Sequence, residues 1–126
     1  MYMAALRRLI KEYSELEDNE NYKAEPVDGN NFLWRATLFG PAQSKIEGKE
    51  FDLELQFPSE YPYKPPKVRF LTPISNQHVS KEGAICLDIL DTAWSPALTI
   101  DRVLLSILSV LTDSHVFRER LRRRVD

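Results

Sequence analysis

The chain holds a single cysteine, Cys86, and only two histidines, His78 and His115. One thiol cannot close an internal disulfide, and no Cys/His cluster has the spacing that tetrahedral zinc requires. A disulfide-stapled scaffold and a zinc module are both excluded. No apolar run approaches the ~20 residues needed to span a bilayer. The opening MYMAALRRLIKEY is interrupted by Arg7, Arg8 and Lys11, unlike the apolar stretch of a secretory signal. An intracellular protein with no membrane association is expected. A surplus of positive charge is also lacking. The net charge is −2, and residues 118–126 (RERLRRRVD) contribute +3 of it, which leaves −5 on residues 1–117. Such a body has no general attraction for nucleic acid.

What is present is an ordinary globular composition. The 126 residues are 43% hydrophobic and 29% charged, enough for one domain with a sizeable core. We expect a core domain over residues 1–117 and a basic tail over 118–126. Leu6, Leu9, Ile10, Tyr13 and Leu16 recur at helical spacing among charged residues, which predicts an amphipathic helix over residues 3–17. Residues 22–27 and 32–39 read as strands around an Asp28–Gly29–Asn30–Asn31 turn. Phe51, Leu53, Leu55 and Phe57 then alternate with Asp52, Glu54 and Gln56, the mark of a strand with one face on a core. Residues 67–71 are a fourth strand.

Residues 58–66 (PSEYPYKPP) hold four prolines and form a rigid connection, with a cis bond possible before Pro62 or Pro65. Residues 71–99 form a long irregular loop, of a length that in a compact domain is usually functional. Thr99 is the N-cap of a strongly apolar helix that carries Asp101 in its first turn. The expected fold class is α+β: a helix, a four-stranded antiparallel meander, a long loop and a buried covering helix.

Taken alone, Cys86 between Ile85 and Leu87 reads as a small buried hydrophobe. Asp88 is no thiol-activating cation, and no helix start is expected beside the cysteine. His78 and Asn76 suggest a cysteine peptidase, but the small chain has no second lobe to form a peptide cleft. Trp94–Ser95–Pro96–Ala97 alone is a turn leading into a helix, and Arg7, Arg8 and Lys11 alone are a solvated face.

In combination these segments say more. FPSEYPYKPPKVRF, then GAICLDIL, then WSPALTI ahead of a buried helix resembles the ubiquitin-conjugating enzyme family, from about Ala5 to Asp113. The resemblance implies that Cys86 carries the carboxyl terminus of ubiquitin, or of a ubiquitin-like modifier, as a thioester and passes it to a lysine amine. It implies that Asp88 helps orient and deprotonate that lysine. It implies a surface for the ubiquitin-activating enzyme and for RING- or HECT-type ligases on Arg7, Arg8, Lys11, Pro62, Tyr63, Ser95, Pro96 and Ala97. Arg102 and Leu105 match positions on which donor ubiquitin folds back. The chain itself needs no cofactor on this view, since ATP is used by the activating enzyme. A monomer, cytoplasmic or nuclear, is expected.

Two departures from the family pattern stand out. Relatives usually carry His-Pro-Asn ten to eight residues before the cysteine, where this chain has Asn76–Gln77–His78. An imidazole N–H can donate to an oxyanion as an amide does, so His78 or Asn76 stands in for the usual Asn, unless His78 is only a solvated loop residue. The family's last two helices are absent or replaced by the basic ending. These departures keep a second reading open, a non-catalytic variant that binds ubiquitin or a partner as a subunit.

Overall fold

The computed structural model describes residues 2–113; His115 and the basic segment 118–126 lie outside the described residues. The order of elements is α1 (Tyr2–Glu15), β1 (Tyr22–Val27), β2 (Asn30–Phe39), β3 (Glu50–Gln56), β4 (Lys67–Phe70), a short 3-10 helix (Asp88–Leu90) and α2 (Ile100–Asp113). The four strands form one antiparallel sheet in sequence order, as the alternation in residues 51–57 predicts.

Register follows from burial. Trp34 pairs with Leu55, Ala36 with Leu53 and Leu38 with Phe51, while Val68 and Phe70 continue the same face on β4. All eight side chains are buried, because a period of two sends every second residue to one side. The opposite face is polar, with Thr37 donating to Asp52 at 2.8 Å and Arg69 paired with Glu54 at 3.2 Å. α2 contributes Ile100, Val103, Leu104, Ile107, Leu108 and Leu111 to the same core. Thr99 caps it as expected: its hydroxyl accepts the Arg102 N–H at 3.2 Å and its carbonyl accepts the Val103 N–H at 3.0 Å. Such a cap is worth about 1 kcal/mol.

α1 differs from the sequence expectation in its buried stripe. Ala5, Leu9 and Glu12 face the core, whereas Ile10 is 50% exposed and Tyr13 44%. The stripe is rotated because Glu12 is fully provided with donors inside the fold, so its burial is not opposed by an unmet charge. Tyr13 instead lays its ring edge-on against Trp34, with centroids 5.4 Å apart.

Two tyrosines are tied to carboxylates. The Tyr61 hydroxyl donates to Glu12 and the Tyr22 hydroxyl donates to Asp101, each at 2.5 Å. Burial first, then the hydrogen bond and negative charge of each carboxylate, hold both phenols above the ordinary tyrosine range. A folded-state value above the unfolded one contributes stability that is whole below about pH 10 and is lost as pH rises further. Alkaline unfolding monitored by circular dichroism should therefore set in above about pH 10. Tyr61→Phe should cost about 1 kcal/mol at neutral pH and make the alkaline decline shallower. An equally steep decline in Tyr61→Phe would place its origin elsewhere.

Candidate active site

Residues 71–99 contain little regular structure, yet the segment around Cys86 is held by a dense set of main-chain bonds. Val79 bridges both Asn76 and Ile85, and Ala84 bridges Arg69 on β4. Ser80 N–H donates to Ala84 at 2.9 Å, and Gly83 N–H donates to Ser80 at 3.0 Å. Gly83 has φ +91°, and a Cβ there would lie 2.3 Å from the Phe70 carbonyl oxygen. Only glycine lets this turn approach β4 so closely. The Phe70 N–H in turn donates to the Gly83 carbonyl at 2.8 Å. The site loop is thus an extension of the sheet edge, anchored from β4 outwards.

Within that frame the chain at Leu87 is extended (φ −129°, ψ 144°). Successive side chains alternate in such a stretch. Ile85 and Leu87 pack against the core, while Cys86 and Asp88 are exposed. The sequence neighbours that suggest a buried cysteine are therefore the reason it is displayed. Asp88 shares its side of the chain. It also opens the 3-10 helix, its carbonyl accepting from Asp91 at 3.0 Å and from Ala93 at 2.8 Å. A helical turn two residues past the cysteine departs from the expectation of none.

His78 stands beside Cys86 through the backbone: the Cys86 N–H donates to the His78 carbonyl at 2.7 Å. Asn76 Oδ1 accepts the His78 N–H at 2.8 Å. Asn76 is itself buried, whereas His78 is half-buried. The His78 ring nitrogen Nε2 lies 3.2 Å from the amide nitrogen of Gln77. Which of the two groups donates depends on the imidazole tautomer. Gln77 is a contributor that sequence reading did not single out.

A second set of residues forms a face of its own. The Tyr61–Pro62 bond is cis. Tyr63 beyond it is 74% exposed, and Pro96 and Ala97 are exposed while Ser95 and Pro62 are half-buried. Trp94 fastens the two loops, its indole N–H donating to the Pro62 carbonyl at 2.8 Å. Arg7 and Lys11 project from α1 into solvent. Arg8 does not: its guanidinium is turned onto Glu12 at 2.8 Å, Pro96 at 3.0 Å and Leu98 at 3.2 Å. On α2, Arg102 is exposed, while Leu105 is half-buried and packs against the core.

Among the described residues no group of three or more His, Cys, Asp or Glu is arranged to hold a metal ion, and no helix is long and apolar enough to cross a membrane. Cys86 is thus an exposed thiol on a loop bonded to the sheet edge, with Asp88 exposed two residues on and the His78 carbonyl accepting its backbone N–H. Over residues 8–120 the chain matches the family model described as ubiquitin-conjugating enzyme.

Proposed function

Because this chain belongs to the ubiquitin-conjugating enzyme family, we propose that Cys86 carries ubiquitin, or a ubiquitin-like modifier, as a thioester. The observation that carries the reading is the exposure of Cys86 on a rigid loop beside Asp88, with the His78 backbone bonded to its own. In loading, the Cys86 thiolate attacks the thioester carbonyl held by the activating enzyme, and that enzyme's thiolate leaves. In discharge, a lysine amine attacks the new thioester, an isopeptide bond forms, and the Cys86 thiolate is the leaving group. The proton released by the amine passes to the Asp88 carboxylate or to water, which is how a lysine becomes nucleophilic near neutral pH. ATP is consumed by the activating enzyme, and this chain supplies no cofactor of its own. The work is that of a monomer in the cytoplasm or nucleus.

Negative charge develops on the former thioester oxygen during amine attack, and His78 is the donor we assign to it. Asn76 supports the loop instead, since it is buried and its Oδ1 already accepts the His78 N–H. Arg7, Lys11, Tyr63, Pro96 and Ala97 form the surface for the activating enzyme and a ligase. Arg102, with Leu105 beside it, faces donor ubiquitin folded back over α2.

The test is incubation with activating enzyme, ATP and ubiquitin, read on a non-reducing gel with and without thiol. A thiol-sensitive adduct is expected. Its absence would favour the non-catalytic variant, which the replacement of His-Pro-Asn by Asn76–Gln77–His78 also fits. Tyr63→Ala probes the docking surface. A side chain 74% exposed contributes little to the fold, so stability should stay within about 0.5 kcal/mol. Ligase-stimulated discharge should fall about tenfold or more, as for an aromatic anchor, with discharge to free lysine retained. Equal loss of both activities would point to a folding defect.

A further inference from the structure

Glu12 is a buried carboxylate, 6% exposed, that joins three separate stretches of chain. Its Oε2 accepts from Arg8 Nε at 2.8 Å and from the Tyr61 hydroxyl at 2.5 Å. Its Oε1 accepts from the backbone N–H of Ile100, the first residue of α2, at 2.8 Å. Arg8 then extends the connection. Its Nη2 donates to the carbonyls of Pro96 and Leu98, and its guanidinium carbon sits 5.6 Å from the centre of the Tyr61 ring.

The two loops that display Tyr63, Pro96 and Ala97 are therefore both fastened to one side-chain pair on α1. A position needed for packing alone is filled as well or better by an apolar residue. A carboxylate with three donors and a guanidinium with three acceptors do something packing cannot: they fix direction as well as distance. From this geometry we infer that Arg8 and Glu12 are positioning residues for the partner-binding face. They hold residues 95–98 and 61–63 in the arrangement the activating enzyme recognises, Glu12 without touching it. The inference rests on the proposed function for the identity of the partner, but not for the bracket itself.

Arg8→Lys separates positioning from stability. An ammonium preserves the ion pair with Glu12, but it is a point charge without the planar fork that reaches Glu12 and two carbonyls together. The amides of Ala97 and Leu98 should exchange with deuterium about tenfold faster in Arg8→Lys, while those of α2 keep their wild-type protection. The dissociation constant for the ubiquitin-activating enzyme, measured by interferometry, should rise about tenfold in both Arg8→Lys and Glu12→Gln. The rate of loading at saturating enzyme should stay within twofold. Glu12 is too buried for a partner to touch, so weakened binding in Arg8→Lys alone would mean direct contact by Arg8 and would overturn the bracket. Unchanged exchange at Ala97 and Leu98 would overturn it as well. Should Glu12→Gln fail to fold, Tyr61→Phe takes its place in the binding measurement, since its buried hydroxyl also donates to Oε2; wild-type affinity there and in Arg8→Lys defeats the inference. A wild-type chain that binds the activating enzyme without loading would refute the thioester reading and leave the positioning result to stand or fall on exchange and affinity.

Discussion

Cys86→Ala is expected to abolish the thiol-sensitive ubiquitin adduct completely, and Cys86→Ser to replace it with a thiol-resistant one or with none. The chain has no second thiol to take over. A serine hydroxyl is far less ionised than a thiol near neutral pH and its alkoxide is a poorer leaving group, so an oxyester once formed neither exchanges with added thiol nor passes readily to an amine. The side chain is exposed and its backbone N–H carries the bond to His78. Both substitutions should therefore leave stability within about 0.5 kcal/mol, and circular dichroism should not distinguish them from wild type. The measurement is a non-reducing gel after loading, with each sample split and treated with thiol. A thiol-sensitive adduct persisting in Cys86→Ala would end the assignment.

The parts of this arrangement that rest on short-range pattern are visible in the sequence. β3 is legible because Phe51, Leu53 and Leu55 alternate with polar residues, and a strand with one buried face has no other way to place them. The start of α2 is legible because Thr99 and Asp101 stand where a cap and the helix dipole want them. α1 is mis-phased by the same kind of reading. Ile10 and Tyr13 look like core and Glu12 looks like surface, because the groups that satisfy Glu12 are Tyr61 and Ile100, 49 and 88 residues further along. No local window contains them. Arg8 is misjudged for the same reason, its acceptors at Pro96 and Leu98 lying across the fold.

The site shows the same division. Cys86, Asp88 and His78 are candidates through the family resemblance, but their exposure is not legible in the sequence. Apolar neighbours at Ile85 and Leu87 argue for burial until the backbone at Leu87 is seen to be extended, which turns the neighbours inwards and the thiol out. Two readings of the Asn76–Gln77–His78 segment are equally available from the letters alone. What the letters do not show is that Asn76 is buried with its Oδ1 on the His78 N–H, while His78 is half-buried.

His78→Ala is expected to slow discharge of the loaded thioester by 10²–10³, roughly 2.7–4 kcal/mol, the usual loss when one good donor to a developing oxyanion is removed. Loading should suffer less, provided the activating enzyme's own groups share the stabilisation in that step. A ring N–H of the imidazole is the donor, and the Gln77 amide nitrogen lies 3.2 Å from ring Nε2. The Cys86 N–H to His78 carbonyl bond keeps the two residues in register while the ring turns. Alanine keeps that backbone bond, so the loss should come from the ring and not from a displaced loop. His78→Asn should recover much of the rate, since a carboxamide N–H can fill the same role. Gln77→Leu should give a smaller loss, as the ring loses the polar neighbour that lies 3.2 Å from its Nε2. Single-turnover discharge to free lysine, from matched amounts of preloaded thioester, reads all three variants. Wild-type rates in His78→Ala would remove His78 from the oxyanion and move attention to Asn76.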